Sequence, residues 1–373
     1  MINRDRLDRL AGELSELKLD ALFMGPSTDL EYLADLKLFE DERVKGLMVA
    51  RTGKCFAMVP LLYREEMTAA LGDAVSRKVW SDHEGFTGAW AAGCRELGLT
   101  GGSGASMKRI AINDGVRAVD LIEMRAAVDF EWVNGAETLS PLRRRKDETE
   151  LGYLRTSGEI ADNVVEGISK FIRAGITEKD VQDEILRLYA ENGAEGLSFS
   201  PIVASGPGGS MPHYTRSDRV LRSGDFVVVD TGCRYHGYCS DMTRTFCLGE
   251  PDDEQRKIYG IVLEAQRAGE AAVRPGATGQ DIDRAARRVI DGAGYGKYFL
   301  NRVGHGVGIA IHESPYMIEG NTAPLEPGNV FSVEPGIYIE GKYGVRIENL
   351  VAVREDGTAE PLNKFTRELI AIG

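Results

Sequence analysis

The stretch FVVVDTGCRYHGYCSD (226–241) carries an apolar run straight into one carboxylate, Asp230, and returns to another, Asp241. A β-branched and aromatic run of this kind marks a strand covered on both faces, where an ionised acid has lost its water. A turn centred on Tyr235-His236 sets Asp230 opposite Asp241, with Cβ atoms about 5 Å apart. The stretch SVEPGIYIEGKYGVRIEN (332–349) repeats the arrangement, because a turn about Gly341 sets Glu334 opposite Glu348. Facing like charges are unfavourable without a counter-ion, and a buried unpaired charge costs several kcal/mol. Arg244 and Arg346 are candidate partners, but two arginines do not balance four acids, whereas two divalent cations do.

A fifth ligand is suggested by GHGVGIAIHESP (304–315), where His305 sits between glycines that let backbone approach closely. Four carboxylates with one imidazole form a harder set than a typical zinc site. The expected ions are therefore Mn²⁺, Co²⁺ or Fe²⁺, with Zn²⁺ a competitor on raw affinity. Two such ions lower the pKa of a shared water and stabilise the oxyanion formed on attack at a carbonyl, which makes amide hydrolysis the natural reaction class.

The elements that must position these residues come as an internal repeat. FIRAGITEKDVQDEI (171–185) aligns with AVRPGATGQDIDRAA (272–286), matching Arg173 with Arg274, Gly175 with Gly276, Thr177 with Thr278 and Asp180 with Asp281. Further on, SGDFVVVDTG (223–232) aligns with PGNVFSVEPG (327–336) and brings Asp230 opposite Glu334. Helices followed by an antiparallel hairpin therefore occur twice. His305 follows the second helical region, and His236 falls at a turn tip, facing solvent.

The first part of the chain alternates instead. Leu7, Leu10, Leu14 and Leu17 recur at helical spacing, DALFMG reads as a strand, Ser27-Thr28-Asp29 as a helix cap, and VKGLMVARTGKCFAMVP as a hairpin turning at Thr52-Gly53. Helix (REEMTAALG), strand (RKVW), helix (FTGAWAAGCRELG), strand (RIAI) and helix (AVDLIEMRAAV) follow, an α/β domain with a mixed sheet. The glycines of GLTGGSG lack the strand before and the helix after that a phosphate loop needs, and His83 is a lone surface histidine. A boundary near Pro141, before a long helix starting around Lys146 to Glu150, gives domains of residues 1–140 and 141–373. The basic cluster PLRRRKDETE between them reads as a solvated linker.

Composition narrows the partners. With a net charge of -13 the chain is a poor match for nucleic acid or an anionic membrane, and no run approaches the length of a membrane span. The N-terminus has no apolar signal core, so a cytoplasmic location is expected. Five cysteines without a CxxC pair suit reduced, buried thiols. No strand–GxGxxG–helix unit supports a nucleotide-dependent oxidoreductase.

Taken in order, DTGCRYHGYCSDMTRTF, GHGVGIAIHESP, VEPGIY and GVRIEN resemble the metal-site motifs of metallopeptidase family M24, the prolidases, aminopeptidases P and methionine aminopeptidases. The resemblance covers residues 145–373, and the preceding domain is similar to the creatinase-type N-terminal domain. It implies an α/β N-terminal domain followed by an α+β pita-bread catalytic domain with an internal pseudo-twofold repeat. It also implies a dinuclear site with Asp230, Asp241, His305, Glu334 and Glu348 as ligands, Asp241 and Glu348 bridging, and Glu334 shuttling a proton. His213 in GGSMPHYTRSD and His312 match outer histidines that bind the substrate carbonyl and transition state; Tyr338 and Arg346 match positions that support ligands or touch substrate. The N-terminal domain is a feature of Xaa-Pro enzymes, so the resemblance implies hydrolysis before proline in Xaa-Pro dipeptides or at the N-terminus of Xaa-Pro peptides, by a homodimer with manganese. Four residues before His305, where prolidases usually carry a histidine that shapes the proline pocket, stands Asn301, which hydrogen-bonds but cannot become cationic. The alternatives are a non-proline aminopeptidase, or another metal-dependent amidohydrolase or lyase on the same scaffold. A binding module of this fold without activity fits poorly with a complete ligand set.

Overall fold

The computed structural model describes residues 2–72, 75–100 and 107–373. Gly101, Gly102 and Gly104 of the glycine run lie outside them. The chain divides into two compact units, Met1–Arg143 and Arg144–Gly373.

In the first unit the leucine stripe forms α1 (Arg4–Glu16), capped by the Asn3 side chain and buried along Leu7, Leu10 and Leu14. Leu17 does not extend the stripe: it follows the last turn and is exposed, the chain leaving the helix through Lys18 at a φ of 55°. Next come β1 (Ala21–Met24), α2 (Thr28–Ala34), β2 (Gly46–Ala50), β3 (Cys55–Pro60), α3 (Arg64–Leu71), β4 (Ser76–Trp80), α4 (Thr87–Glu96), β5 (Arg109–Ile112), α5 (Ala118–Ala127), β6 (Glu131–Asn134) and α6 (Ser140–Arg143). Ser27 caps α2 through its side chain, and the β2–β3 hairpin turns at Gly53. One mixed sheet runs β4-β3-β2-β1-β5-β6. The sequence reading missed β6, a short half-exposed edge strand with little pattern to show. The buried Trp90 on α4 packs edge-on against Phe23 (5.1 Å) and Phe56 (6.1 Å), so α4 is pinned to the sheet by aromatic contacts.

The second unit begins with α7 (Glu148–Phe171), whose start is fixed by a capping box between Asp147 and Glu150. After it come α8 (Glu178–Glu191), β7 (Gly196–Leu197), β8 (Ile202–Ser205), β9 (Phe226–Thr231), β10 (Cys233–Tyr235), β11 (Tyr238–Cys239) and β12 (Met242–Leu248). The second half supplies α9 (Asp253–Ala271), α10 (Gly279–Gly292), β13 (Gly304–Gly306), β14 (Glu313–Met317), β15 (Val330–Val333), β16 (Gly336–Ile339), β17 (Tyr343–Arg346), β18 (Asn349–Val353), β19 (Ala359–Pro361) and β20 (Ala371–Ile372). The repeat is visible in detail. Thr177 and Thr278 cap α8 and α10 with matching boxes to Asp180 and Asp281, and each threonine makes a single bridge, to Val220 and to Pro324.

Beside a three-stranded β11-β10-β7 sheet and the β16-β17 ribbon, the two larger sheets run β20-β12-β9-β8 and β14-β13-β15-β18-β19. Side chains of α7 and α8 form a core with one, and those of α9 and α10 with the other. The pleat then decides what faces inward. Val227 and Val229 pack with the helices, while Val228 turns to the other face with Ala204 and Tyr214, and Asp230 shares that face. In β15, Phe331 and Val333 join the helix-side core, leaving Ser332 and then Glu334 for the inner side.

The basic cluster is not a solvated linker. Arg143 pairs with Asp29 at 2.8 Å, Arg144 with Glu326 at 3.3 Å, and the fully buried Lys146 with Glu313 at 2.6 Å. A buried ammonium requires such a counter-ion, so this lysine anchors the strand that follows His312. All five cysteines are free thiols, four of them buried. Among the described residues no helix is long and apolar enough to cross a membrane.

Candidate metal centre

The first hairpin corrects the expected register. Asp230 pairs with Thr243, not with Asp241, because the turn is the two residues His236 and Gly237, at φ values of 47° and 78°. Positive φ at both positions matches the twist of a two-residue hairpin. The displacement is two residues, so side-chain parity is kept and the two aspartates remain on one face as diagonal neighbours. His236 is exposed at the turn, stacked on Tyr153. In the second hairpin the register is as expected: Val333↔Asn349 and Gly336↔Arg346 bracket the site and leave Glu334 across from Glu348.

His305 enters from β13. A Cβ on Gly304 would lie 1.8 Å from the Ser332 carbonyl oxygen, and one on Gly306 would lie 2.5 Å from that of Ser314, so only glycine lets this strand settle so close. The Ser332 hydroxyl accepts from the His305 amide (3.1 Å) and donates to Glu334 Oε1 (3.1 Å), fixing histidine and glutamate together. His305 Nδ1 lies 3.2 Å from the Gly306 carbonyl, which can only accept, so Nδ1 is the donor of that pair. Nε2 is thereby aimed at carboxylates, 3.2 Å from Glu334 and 3.6 Å from Asp241.

The ligand atoms of Asp241, His305 and Glu348 all lie within 4.8 Å of one another. Asp230 accepts from Arg346 at 2.6 Å, Arg346 also donates to Thr243 and to the Tyr338 hydroxyl (3.0 Å each), and Thr243 donates to Glu348 at 2.6 Å. Arg244, the other expected counter-ion, does not neutralise the acids. It is fully buried and spends its donors on the carbonyls of Thr243, Glu348, Phe365 and Thr366 and on Asn349, and burial lowers its pKa to about 10.

One arginine thus faces four carboxylates, and the electrostatics record the shortfall. Burial, then mutual repulsion, raises Asp241 and Glu348 well above their ordinary values, and burial raises Asp230 as well, against the opposing charge of Arg346. Glu334 is the exception: burial would raise it, but the hydrogen bond and charge of His305, with Arg346 and Ser332, hold it below its ordinary value. Asp230 Oδ1 and Glu348 Oε1 are buried with no hydrogen-bond partner. Hard oxygen donors left orphaned beside an imidazole aimed the same way fit a divalent cation.

These groups line a cavity of about 910 Å³ that also takes in His213, His312, Tyr338, Arg346 and Asn301. The His312 ring stands edge-on to His305 at 4.1 Å, and partial burial, His305 and Arg302 bring its pKa down to about 4, so it is neutral near pH 7. Tyr214 next to His213 is held by a hydrogen bond to the buried Glu178 (2.9 Å). Sequence reasoning missed Thr243, Ser332, Glu178 and Arg302. Thr243 was readable, since the correct turn makes it the cross-strand partner of Asp230.

Comparison with known proteins agrees with this geometry. The family model of metallopeptidase family M24 matches residues 152–355. A relative from Mycobacterium tuberculosis named "Probable dipeptidase PepE" is 37% identical over 369 residues, covering 98% of this chain and 96% of the relative. Among solved structures, a dipeptidase from Pyrococcus horikoshii superposes with a TM-score of 0.91 at 37% identity, covering 98% of this chain and 100% of the other. A recombinant prolidase from Thermococcus sibiricus gives 0.93 at 34%, covering 100% of both. A doubled helix-and-hairpin unit that gathers acids and one histidine at a single cavity, and that aligns with these proteins along nearly its whole length, places the chain in metallopeptidase family M24 as a metallo-exopeptidase of pita-bread fold.

Proposed function

We propose that the protein hydrolyses dipeptides, Xaa-Pro first among them, with two divalent ions, Mn²⁺ foremost, held by Asp230, Asp241, His305, Glu334 and Glu348. The observation that carries the reading is the pair of buried, partnerless oxygens, Asp230 Oδ1 and Glu348 Oε1, beside a histidine whose Nε2 points into the same acid cluster. When bound, such ions polarise a scissile carbonyl and make water nucleophilic at neutral pH.

The protein's own residues do the rest. Glu334, kept ionised within its acidic neighbourhood, accepts the proton of the attacking water and returns it to the leaving amine. His312 is neutral and lies beside His305 at the cavity, so its imidazole offers one hydrogen bond to the substrate carbonyl, with His213 on the same cavity wall. Arg346, backed by the Tyr338 hydroxyl, holds the Asp230 carboxylate in place. Proline as the second residue is supported by the prolidase name of the Thermococcus relative. Asn301 supports a broader dipeptidase, since its Oδ1 is buried without a partner where prolidases usually carry histidine.

A peptide panel decides: Ala-Pro, Ala-Ala and Ala-Pro-Ala, each after chelation and after Mn²⁺ or Co²⁺ return. Metal-dependent cleavage of Ala-Pro is expected. Hydrolysis that survives complete metal removal sinks the mechanism, and a higher kcat/KM for Ala-Ala than for Ala-Pro removes the proline preference.

A further inference from the structure

The metal-site cavity is lined by two cationic side chains, Arg346 and Arg302, and they differ in kind. Arg346 is buried and paired with Asp230. Arg302 is half-buried and has neither a hydrogen bond nor an ion pair with any described residue; its guanidinium lies over the Tyr316 ring at 4.6 Å. Most neighbouring arginines of this acidic unit have found a carboxylate, as Arg284 has Glu319 and Arg287 has Asp283. Tyr316 pairs directly with His305 across the β13–β14 ladder, so the ring that carries Arg302 is anchored one cross-strand step from the histidine of the metal centre. A fork of donors without an acceptor, held over an aromatic ring at the cavity that takes the substrate, is a ready site for a planar anion.

We propose that Arg302 selects peptides that present a carboxylate to it, either the free C-terminus of a dipeptide or an acidic side chain on the first residue. This rests on the peptidase reading and adds to it a substrate class and the residue that sets it. Stacking on Tyr316 keeps the planar guanidinium oriented, so a lysine at the same position would supply charge without the fork.

The test compares paired substrates on the Mn²⁺-loaded full chain: Ala-Pro against Ala-Pro amide for the terminal carboxylate, and Glu-Pro against Gln-Pro for the side chain. The wild type is expected to favour the carboxylate member of at least one pair by roughly 10- to 100-fold in kcat/KM, mostly through KM. In Arg302→Met that ratio collapses toward one, and Arg302→Lys restores part of it. Because the readout is a ratio within one variant, a general loss of activity does not imitate it. No carboxylate preference in the wild type, or an undiminished one in Arg302→Met, overturns the proposal. Should the loaded wild type cleave none of the four, the Xaa-Pro reading fails, and calorimetry on the metal-stripped protein with the same pairs decides Arg302 alone: tighter binding of the carboxylate member, lost in Arg302→Met, upholds it, and equal or absent binding refutes it.

Discussion

Two acid sites in this chain are built in opposite ways. In the N-terminal unit, Asp41 is surrounded by donors: the ammonium of the fully buried Lys45, the Tyr63 hydroxyl and the Arg43 amide, with Lys45 also over the Tyr63 ring at 4.4 Å. Burial alone would raise this carboxyl, yet the donors and the lysine charge hold it far below the usual range. In the C-terminal unit, Asp230, Asp241, Glu334 and Glu348 share Arg346, and two of them are pushed well above that range. The first site is electrostatically complete and stabilises the fold. The second is incomplete in the polypeptide alone, a deficit of the kind that a bound cation makes good.

The contrast can be broken from either side. The largest effect is expected at Glu334→Gln, which keeps shape and removes the proton acceptor; metal-dependent peptide turnover falls by roughly 10³-fold while the urea midpoint stays at or above the wild-type value. Wild-type-like turnover would contradict the assigned role. Next is Asp41→Asn, which strands a buried ammonium and costs about 3 to 5 kcal/mol in urea unfolding near pH 7. Since the folded-state pKa of Asp41 is depressed, its contribution is present above the unfolded value and disappears as pH falls through the folded one, so the variant and the wild type converge in acid. A cost that did not shrink with acid would mean that packing, not charge, is lost.

Smaller and opposite in sign is Asp241→Asn in metal-stripped protein. The raised folded-state pKa of Asp241 makes its ionised form a liability above that pKa, so the amide stabilises by about 1 to 2 kcal/mol at pH 8, and the gain vanishes as pH falls below the unfolded value. Destabilisation at pH 8 would show that the acid cluster is satisfied without metal. The smallest expected change is Tyr63→Phe, about 1 kcal/mol, because Asp41 keeps its other donors. A loss as large as that of Asp41→Asn would place the hydroxyl, not Lys45, at the centre of that site.

Much of the acid cluster was legible because strands encode faces by parity. A turn misplaced by one residue, which shifts the register by two, still put Asp230 and Asp241 on one side, and the glycine at 341 located the second turn correctly. The doubled α8 and α10 caps were legible because Thr and Asp at a fixed spacing have a local mechanism. What stayed hidden depends on partners far along the chain. Lys146 reads as one more residue of a basic run until Glu313 is seen against it, and Arg244 reads as a counter-ion until its carbonyl partners appear. Arg302 went unnoticed in the sequence, because lacking a partner among the described residues is a property only three dimensions reveal.

Arg244 has one more consequence. Its guanidinium ties the carbonyls of Phe365 and Thr366 to that of Glu348, and β20 lies alongside β12, so the last residues of the chain are clamped beneath the acid cluster. Whatever is fused to or trimmed from the C-terminus is therefore joined mechanically to the geometry of the acid cluster, and a tag placed there would act as an unintended lever on the proposed metal site.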